Sequence, residues 1–394
     1  MSNRWRVLSR VLMGSVALLA LVLCGVAVAK ATGPSGSSGA SAGSGASGSS
    51  GPSGSSGASG SSGASGSSGA TGATGATSAY PPLLTPPAGH VFTGLSGIDA
   101  GAFQAETGKH PAVYGVFITW SQGFHWAFRD ANAEHSRLML HISTSAGYGA
   151  PQEITPEGIA DGSGDGYILA LAAQIHEHHA PVYIRLMPEM NNAHNAYSAD
   201  NADGSARGPD YTHQAFIAAW RRVVLIMRGG PIATIDAKLQ SLGLPPVQEA
   251  SASSTLPASP IAFVWCPETA GTPNVPSESA ASYWPGSAYV DWVGTDFYSA
   301  FPNFTGLQTF YNEFRFKPFA FSEWAMWNND SPAFVDQLFA FVKSHKRVKL
   351  MLYNNGFPGG PLLLSKYPAA AAEIHKDVAS RRYLGYTPEW QPAT

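Results

Sequence analysis

Eight short apolar segments recur through the last three quarters of the chain, and this repetition constrains the fold more than any other feature. Each segment is rich in β-branched and aromatic residues and has the length of a strand. The sequence therefore predicts eight strands. They lie at 90–99, 112–120, 137–143, 181–187, 261–266, 289–297, 317–323 and 348–354.

Helical patterns lie between several of these strands, at 166–179, 211–228 and 331–345. Strands that alternate with helices favour a parallel sheet. Eight such units predict an α/β fold, the (β/α)8 TIM barrel, which normally takes ~250 residues plus insertions. One insertion, rich in Ser, Pro and Ala, is expected at 232–260. A doubly wound sheet is the alternative, but GLSGIDAG (94–101) is not the phosphate-binding loop of that fold.

The first 31 residues have the layout of a secretory signal. A basic start is followed by an uncharged run over 11–29 and by small residues that suit cleavage. The run is also just long enough to span a bilayer, so a retained membrane anchor is the alternative. Either reading predicts that the rest of the chain is extracellular or anchored at the cell surface.

Residues 32–78 consist almost entirely of Gly, Ser, Ala and Thr. Glycine falls at every third position from Gly45 to Gly75, as in collagen, but collagen also needs many imino acids and the tract has only Pro34 and Pro52. We therefore predict a disordered, flexible linker, with a trimerising stalk as the alternative. The predicted domains are 1–31, 32–78 and a barrel at 79–394.

The charge balance argues against a nucleic-acid partner. The 394 residues carry 23 Lys and Arg against 26 Asp and Glu, and the basic start of the chain makes the remainder still more acidic. Nucleic-acid binders need a basic patch. The two cysteines include Cys24 in the targeting segment, so no disulfide framework is expected in the mature chain.

The predicted active site depends on which polar residues end each strand, because barrel active sites lie at the carboxyl ends of the strands. Strand four ends in PVYIRLMPEMNN. Strict alternation places Arg185, Met187 and Glu189 on one face of this strand. Glu189 is therefore expected at the mouth of the barrel.

Strand seven ends in KPFAFSEWAMW, and the same alternation places Phe319, Phe321 and Glu323 on one face. Two acids would then project from two strand ends on the same rim. Glycosidic cleavage needs this arrangement, with one carboxylic acid to protonate the leaving oxygen and one carboxylate to attack or to activate water. Glu189 and Glu323 are the predicted catalytic pair.

Aromatic residues crowd the same strand ends. Sugar rings carry apolar faces that stack on aromatic planes. An acidic, aromatic-lined cleft suits a neutral polysaccharide, and we expect Trp120, Trp265, Tyr298 and Trp324 to contact it. The aromatic residues at the strand ends are Trp120, Trp126, Trp265, Tyr298, Trp324, Trp327 and Tyr353.

Three ordered segments resemble glycoside hydrolase family 26, the retaining clan A family best known for β-mannanases. They are Ile154–Tyr197, YWPGSAYVDWVGTDFYS (283–299) and KPFAFSEWA (317–325). The resemblance spans the whole predicted barrel in the right order. It implies a (β/α)8 barrel, retaining hydrolysis of β-linked glycans, no metal and no cofactor.

The resemblance also implies roles for individual residues. Glu189 would be the acid/base and Glu323 the nucleophile. Tyr298 would hydrogen-bond the nucleophile, and Arg185 would neutralise and orient carboxylates near the site. Asn191 and Trp265 would contact the glycone side of the substrate, and Asp296 remains open as a third carboxylate.

The chain departs from the family pattern near the acid/base. Pro188 stands where the family has His, which removes a side-chain donor from the sugar site. His194 stands where Trp is expected, while Tyr197 keeps an aromatic ring, and we expect both to contact substrate. Glu268 stands where Asn is common. These departures bear on mannan specificity more than on hydrolysis.

We therefore predict a monomeric retaining glycoside hydrolase that acts on a β-linked polysaccharide, with β-1,4-mannan as the first candidate. Hydrolysis of β-1,3-xylan, mixed-linkage β-glucan or self exopolysaccharide is an alternative, as is a non-catalytic glycan-binding or cell-wall scaffold. No metal site is predicted, because His176, His178 and His179 end a helix on the face of the barrel away from the expected active site.

Overall fold

The structure is a computed structural model that describes residues 83–146, 150–251 and 253–391. The predicted signal or anchor at 1–31 and the predicted linker at 32–78 lie outside these residues. Eight main strands follow one another along the described chain. They are β1 Val91–Ser96, β2 Val113–Thr119, β3 Arg137–Ser143, β4 Val182–Leu186, β5 Ile261–Trp265, β6 Trp292–Tyr298, β7 Phe319–Ala325 and β8 Val348–Asn354.

Helices connect these strands on the outside of the sheet. None of the helices in the described ranges is both long and apolar enough to cross a bilayer. The α-helices are α1 Ala100–Thr107, α2 His125–Ala133, α3 Pro156–Ala160, α4 Asp165–His178, α5 His213–Met227, α6 Ile232–Ser241, α7 Phe304–Glu313, α8 Pro332–Ser344 and α9 Pro368–Val378.

The strands close into a barrel. Each strand pairs in parallel with its neighbour in sequence, and β8 pairs with β1, where Phe92 lies opposite Leu350. A further two-residue strand, Tyr383–Leu384, pairs with the start of β1. The closed parallel sheet with interleaved helices is a (β/α)8 barrel, so the predicted fold is confirmed and the doubly wound alternative, which has an open sheet, is wrong.

Local sequence explains where the helices begin. The Thr212 hydroxyl accepts a hydrogen bond of 3.1 Å from the backbone N–H of Ala215 at the start of α5. Ser331 accepts one of 3.2 Å from Phe334 at the start of α8, with Pro332 in the first helical position. Such caps satisfy backbone donors that lack a partner within the helix, and proline suits the first turn.

Most predicted strands differ from the observed strands by one to three residues at an end, as at β6, which begins at Trp292 rather than at residue 289. Strand β7 begins at Phe319 rather than at residue 317, because Pro318 has no N–H to give to a ladder. The insertion expected at 232–260 contains an unpredicted helix, α6, and its Thr255–Leu256 segment pairs antiparallel with Gly230–Pro231, which directly precedes the insertion. None of these differences moves the residues that line the mouth.

Two apolar layers hold the barrel. One lies between the sheet and the helices, and the other fills the barrel interior. Burial of this much apolar surface is the main stabilising contribution to a domain of this size. The interior layer includes Phe92, Val113, Met139, Tyr183, Val264, Trp292, Leu350 and Leu352.

The amino-terminal end of the barrel is closed by a buried ionic cluster. The Arg137 guanidinium donates to both carboxylate oxygens of Glu389, at 2.7 and 2.8 Å, and to the carbonyl of Leu84 at 2.8 Å. Tyr183 donates to the same carbonyl at 2.5 Å. The amino-terminal and carboxyl-terminal parts of the described domain thus seal this end, and the open mouth lies at the carboxyl ends of the strands.

Candidate active site

Glu323 reaches the barrel mouth through an irregularity in β7. Thr295 of β6 lies opposite Phe321, but the next residue, Asp296, lies opposite Glu323, so Ser322 is an extra residue in the register. Phe321 faces outward and its ring centroid lies 6.1 Å from that of Phe341 on α8. The predicted shared face of Phe321 and Glu323 is therefore wrong, because a bulge of this kind turns the following side chain to the other face.

Glu323 is only 3% exposed, and its carboxylate is surrounded by donors. Tyr298 donates its hydroxyl hydrogen to Oε2 at 2.6 Å, and Asn354 donates from Nδ2 to the same oxygen at 2.5 Å. Nη1 of Arg185 donates to Oε1. Three donors, one of them cationic, hold the carboxylate in place.

Arg185 joins the carboxylates of two strands. Its side chain projects from β4 into the barrel, where Nη1 contacts Glu323 and Nη2 contacts Asp296 on β6. Asp296 also accepts a hydrogen bond of 3.5 Å from the buried thiol of Cys266. Because a buried guanidinium needs paired partners, the three strand ends are fixed relative to one another.

His141 on β3 supplies an uncharged partner for the same guanidinium. Its Nδ1 lies 2.8 Å from Nη1 of Arg185, and since arginine can only donate, Nδ1 accepts and the ring is neutral. Burial, with the neighbouring guanidinium, holds the pKa of His141 well below its usual range. The ring stacks on Phe117 at 4.5 Å, and a Cβ at Gly115 would meet its Nε2 at 2.7 Å, which explains a glycine there.

Glu189 lies beyond the end of β4, which stops at Leu186. Met187 and Glu189 both have left-handed backbone angles, with φ of 39° and 51°. The predicted alternation of Arg185, Met187 and Glu189 on one face is therefore wrong: Met187 is fully buried in the layer beneath the helices. The strained turn nevertheless returns the half-buried Glu189 to the site.

Hydrogen bonds hold this strained turn. The N–H of Glu189 donates to the carbonyl of Cys266 at 2.7 Å, which links the turn to the end of β5. Asn195 donates from Nδ2 to the Glu189 carbonyl at 2.9 Å. The Tyr197 hydroxyl donates to the carbonyl of Pro188 at 2.6 Å. A positive φ persists at a bulky residue only where its surroundings over-determine it, as these bonds do.

Glu268, which follows β5, forms hydrogen bonds with the loop that carries Glu189. The Asn191 amide pairs with the Glu268 backbone in both directions, at 3.0 and 2.8 Å. The Glu268 carboxylate accepts from Asn192 at 2.8 Å and from Thr272 at 2.9 Å. We call residues 188–195 with residues 266–272 the acid-loop clamp, since together they position Glu189.

Glu189 and Glu268 lie in surroundings that raise the pKa of each carboxyl. Burial and the nearby charge of Glu323 raise the pKa of Glu189. Its carboxyl also hydrogen-bonds that of Asp296, a contact that requires one proton between them. Burial also raises the pKa of Asp296 well above its usual range, although the Arg185 guanidinium beside it opposes this, so Glu189 and Asp296 share one proton. Burial and the charge of Glu189 raise the pKa of Glu268 to about 8.

Three tryptophans that were predicted to contact sugar lie elsewhere in the structure. Trp265, Trp324 and Trp120 are at most 4% exposed and lie in the layer between sheet and helices. Trp265 packs edge-on against Trp284 at 4.8 Å, and Trp324 packs against Tyr353 at 5.0 Å. Alternation explains the error for Trp265 and Trp324, which sit on outward-facing positions of β5 and β7. Trp120 follows the end of β2 and packs on Tyr167 of α4 at 4.8 Å.

The remaining predicted sugar contacts fall into two groups, those that support the loop and those that are partly exposed. Asn191 is fully buried with both amide atoms committed to Glu268, and Tyr197 is 1% exposed beneath Pro188, so both support the loop and the predicted sugar contacts are wrong. His194 is half-buried on the acid-loop clamp, where its N–H donates to Asn192 at 3.0 Å. Tyr298, half-buried beside Glu323, faces the site.

Two site residues were not singled out from the sequence. Asn354 ends β8 and contacts Glu323, and the strand-end rule that selected the glutamates also points to it. His141 shares the inward face of β3 with Met139 and lies within an otherwise largely apolar strand, which is a weaker signal.

Among the described residues, one group of carboxyls could offer oxygen atoms to an ion. Asp336, Glu373 and Asp377 lie within 4.8 Å of one another on the outer helices α8 and α9. Glu373 already pairs with Lys376 at 2.6 Å. The group is solvent-accessible and lies away from the mouth.

No family model and no curated protein sequence matches the chain. Among solved structures, it is similar to a mannanase from Bacillus subtilis at 14% identity, over 78% of this chain and 89% of that one, with a TM-score of 0.48. It is also similar to the catalytic domain of a GH26 endo-β-1,4-mannanase from Bacillus sp. JAMB-750, at 12% identity over 76% and 89% of the two chains, with a TM-score of 0.49.

A third similar structure is a GH26 protein from Muricauda sp., at 13% identity over 75% of this chain and 91% of that one, with a TM-score of 0.47. All three identities are low. The barrel of this chain is established by its own closed strand pairing. Solved GH26 structures are thus among those to which the chain is similar.

Proposed function

We propose that this chain is a retaining glycoside hydrolase that acts on a β-linked polysaccharide, with Glu323 as nucleophile and Glu189 as acid/base. One observation carries the proposal: two carboxyls from β4 and β7 meet at the mouth in opposite environments. Glu323 accepts three hydrogen bonds, one of them from the buried guanidinium of Arg185. Glu189 has a raised pKa, as a proton donor requires.

In the first step, an oxygen of Glu323 attacks the anomeric carbon while Glu189 gives its proton to the departing glycosidic oxygen. The product is a glycosyl ester on Glu323 and a sugar with a free hydroxyl. Arg185 and Tyr298 keep the attacking carboxylate oriented. We expect a carboxyl separation of about 5–5.5 Å, the distance for retention.

In the second step, the ionised Glu189 takes a proton from water, whose oxygen attacks the anomeric carbon and releases Glu323. Ester formation removes the negative charge of Glu323, which had raised the pKa of Glu189. The acid thereby becomes a base at the moment when a base is needed. Asp296 keeps Arg185 paired while Glu323 is esterified.

The substrate proposal follows the sequence resemblance, which favours β-1,4-mannan. Pro188 leaves no side-chain donor beside the acid/base, so the sugar bound there is held by fewer polar contacts than the family pattern provides. The alternative substrates for Glu189 and Glu323 are β-1,3-xylan, mixed-linkage β-glucan and the exopolysaccharide of the organism itself.

We also propose that the protein acts outside the cytoplasm as a monomer, secreted or anchored through residues 11–29. The support is the uncharged run behind a basic start and the long Gly/Ser-rich tract that follows. No nucleic-acid partner is proposed, since the barrel segment is acidic.

A polysaccharide digest tests the proposed function. Wild-type protein is incubated with mannan, β-1,3-xylan and mixed-linkage β-glucan, and released reducing ends are measured. We expect release from at least one glycan and none from Glu323→Gln, with retained binding by that variant. Binding of a glycan without release of sugar from any of them would favour a non-catalytic scaffold instead.

A further inference from the structure

Two large apolar side chains are exposed in the described part of the chain, and they lie at opposite ends of the barrel. Phe301, 70% exposed, lies in the loop that follows β6 at the mouth. Phe316, 81% exposed, lies between α7 and β7 at the closed end. The two residues have the same chemistry and similar exposure, but only Phe301 is near the site.

A continuous line of aromatic rings joins Phe301 to the proposed nucleophile. Tyr298, which donates to Glu323, meets Trp327 edge to face with ring centroids 5.2 Å apart and an angle of 84°. Trp327 in turn meets Phe301 at 5.9 Å and 83°. Trp327 is 7% exposed, so the line opens to solvent at Phe301.

The backbone around this line is pinned. The N–H of Phe301 donates to the Tyr298 carbonyl at 3.0 Å, which closes a tight turn after β6. Ser299 donates from its N–H to the Ala325 carbonyl at 3.1 Å and accepts on its hydroxyl from the N–H of Trp327 at 2.8 Å. The loops after β6 and β7 are therefore fastened together, and the backbone that carries the Phe301 ring is fixed before any ligand arrives.

We propose that Phe301 is a stacking platform for a sugar unit beyond the one at Glu323, in the same glycan chain. The inference rests on the proposed function, which places a neighbouring sugar over Glu323. A pyranose presents an apolar C–H face, and an aromatic ring presents a negative π face that receives it. The site would then recognise an extended chain of β-linked neutral sugars rather than a single terminal unit.

The platform predicts a difference between long and short substrates. Removal of the ring should weaken binding of a polysaccharide about 5- to 20-fold, the effect of losing part of one aromatic contact. A short aryl glycoside that occupies only the position at Glu323 should be cleaved by Phe301→Ala with unchanged kcat/KM. Phe316→Ala should match wild type with both substrates.

The experiment compares wild type, Phe301→Ala, Phe301→Trp and Phe316→Ala. Retardation in gels that contain mannan, β-1,3-xylan or mixed-linkage β-glucan measures binding without any turnover. We then measure KM for the glycan that is cleaved and kcat/KM for the aryl glycoside. Thermal unfolding confirms that each variant folds, and Phe301→Trp, which keeps a stacking surface, should bind at least as well as wild type.

Loss of retardation and a raised KM in Phe301→Ala alone support the platform. The proposal is overturned if Phe301→Ala is retarded as strongly as wild type, or if Phe316→Ala loses as much retardation as Phe301→Ala. It is also overturned if none of the three glycans retards wild type. If no glycan is hydrolysed but Phe301→Ala still loses retardation, the platform stands and the proposed hydrolysis fails. The two failures are thus distinguishable.

Discussion

The hydroxyl of Tyr298 lies 2.6 Å from Oε2 of Glu323 and donates a hydrogen bond to it. The two residues come from adjacent strands, β6 and β7, and the bulge at Ser322 brings them together. The contact stabilises the carboxylate before attack and must weaken when that oxygen becomes part of an ester. Tyr298 therefore contributes to positioning of the nucleophile and to its release.

Replacement of Tyr298 by Phe should leave the fold intact and slow catalysis. A hydrogen bond to a charged group contributes about 1.5–3 kcal/mol, so kcat on the cleaved glycan should fall roughly 10- to 100-fold. Steady-state kinetics measure this, and thermal unfolding serves as the control. An unchanged kcat in Tyr298→Phe would contradict a role for the hydroxyl in positioning Glu323.

Replacement of Glu189 by Ala should reduce turnover according to the leaving group. Loss of general acid catalysis costs about 10²–10⁴ in rate on a polysaccharide, whose leaving group needs a proton. A dinitrophenyl glycoside needs no proton for departure, so its glycosylation step should be much less affected. Glu157→Ala, which removes an exposed glutamate on α3, is the matched control and should retain full activity.

Glu268 is expected to set the alkaline limit of activity together with Glu189. The two carboxyls influence each other, so their apparent pKa values belong to the pair. Glu268→Gln removes a like charge while keeping an acceptor for Asn192. The alkaline limb of kcat/KM should therefore move to lower pH, as measured by a pH–rate profile. Movement to higher pH would contradict the assignment of Glu189 as the acid.

The same substitution should change the pH dependence of stability. The pKa of Glu268 in the folded protein is about 8, above that of an unfolded glutamate at ~4.3. The folded state therefore binds more protons, and its stability should fall as pH rises between these values. Wild type should lose thermal stability over this window more steeply than Glu268→Gln. Parallel curves would show that the carboxyl is not perturbed.

Arg185 should be essential to the fold of the site. Arg185→Lys replaces a guanidinium that contacts two carboxylates by a single ammonium. Because one buried charge is then unpaired, the free energy of unfolding should fall by about 3–5 kcal/mol. Arg228→Lys is the control, since its pair with Asp291 has a guanidinium that is 40% exposed and should cost less than ~1 kcal/mol. Denaturant unfolding measures both, and equal effects would refute the buried pairing.

Much of the fold was predictable because barrel strands leave a strong local signal. All eight apolar segments are strands, and the rule that functional groups lie at their carboxyl ends pointed to Glu189, Glu323, Arg185 and Tyr298, which the structure brings together. Helix α6 was missed because the Ser- and Pro-rich sequence around it suggested a loop.

The orientation of side chains was less predictable, for a physical reason. Alternation holds only while the ladder is regular, and it fails at Ser322 and Met187, where a bulge and a positive φ change the facing. The first irregularity turns Glu323 toward the barrel mouth, and the second returns Glu189 to the site. Trp265 and Trp324 were misassigned because an aromatic residue at a strand end can pack under a helix as readily as it can line a cleft.

The central claim is that Glu323 attacks the anomeric carbon and becomes esterified. The most direct test is mass spectrometry of the Glu189→Ala protein after brief reaction with a dinitrophenyl glycoside of the cleaved glycan, because loss of the base slows hydrolysis of the ester. We expect one glycosyl unit on the peptide that contains Glu323. A covalent sugar on another residue, or a released product of inverted anomeric configuration with no adduct, would contradict it.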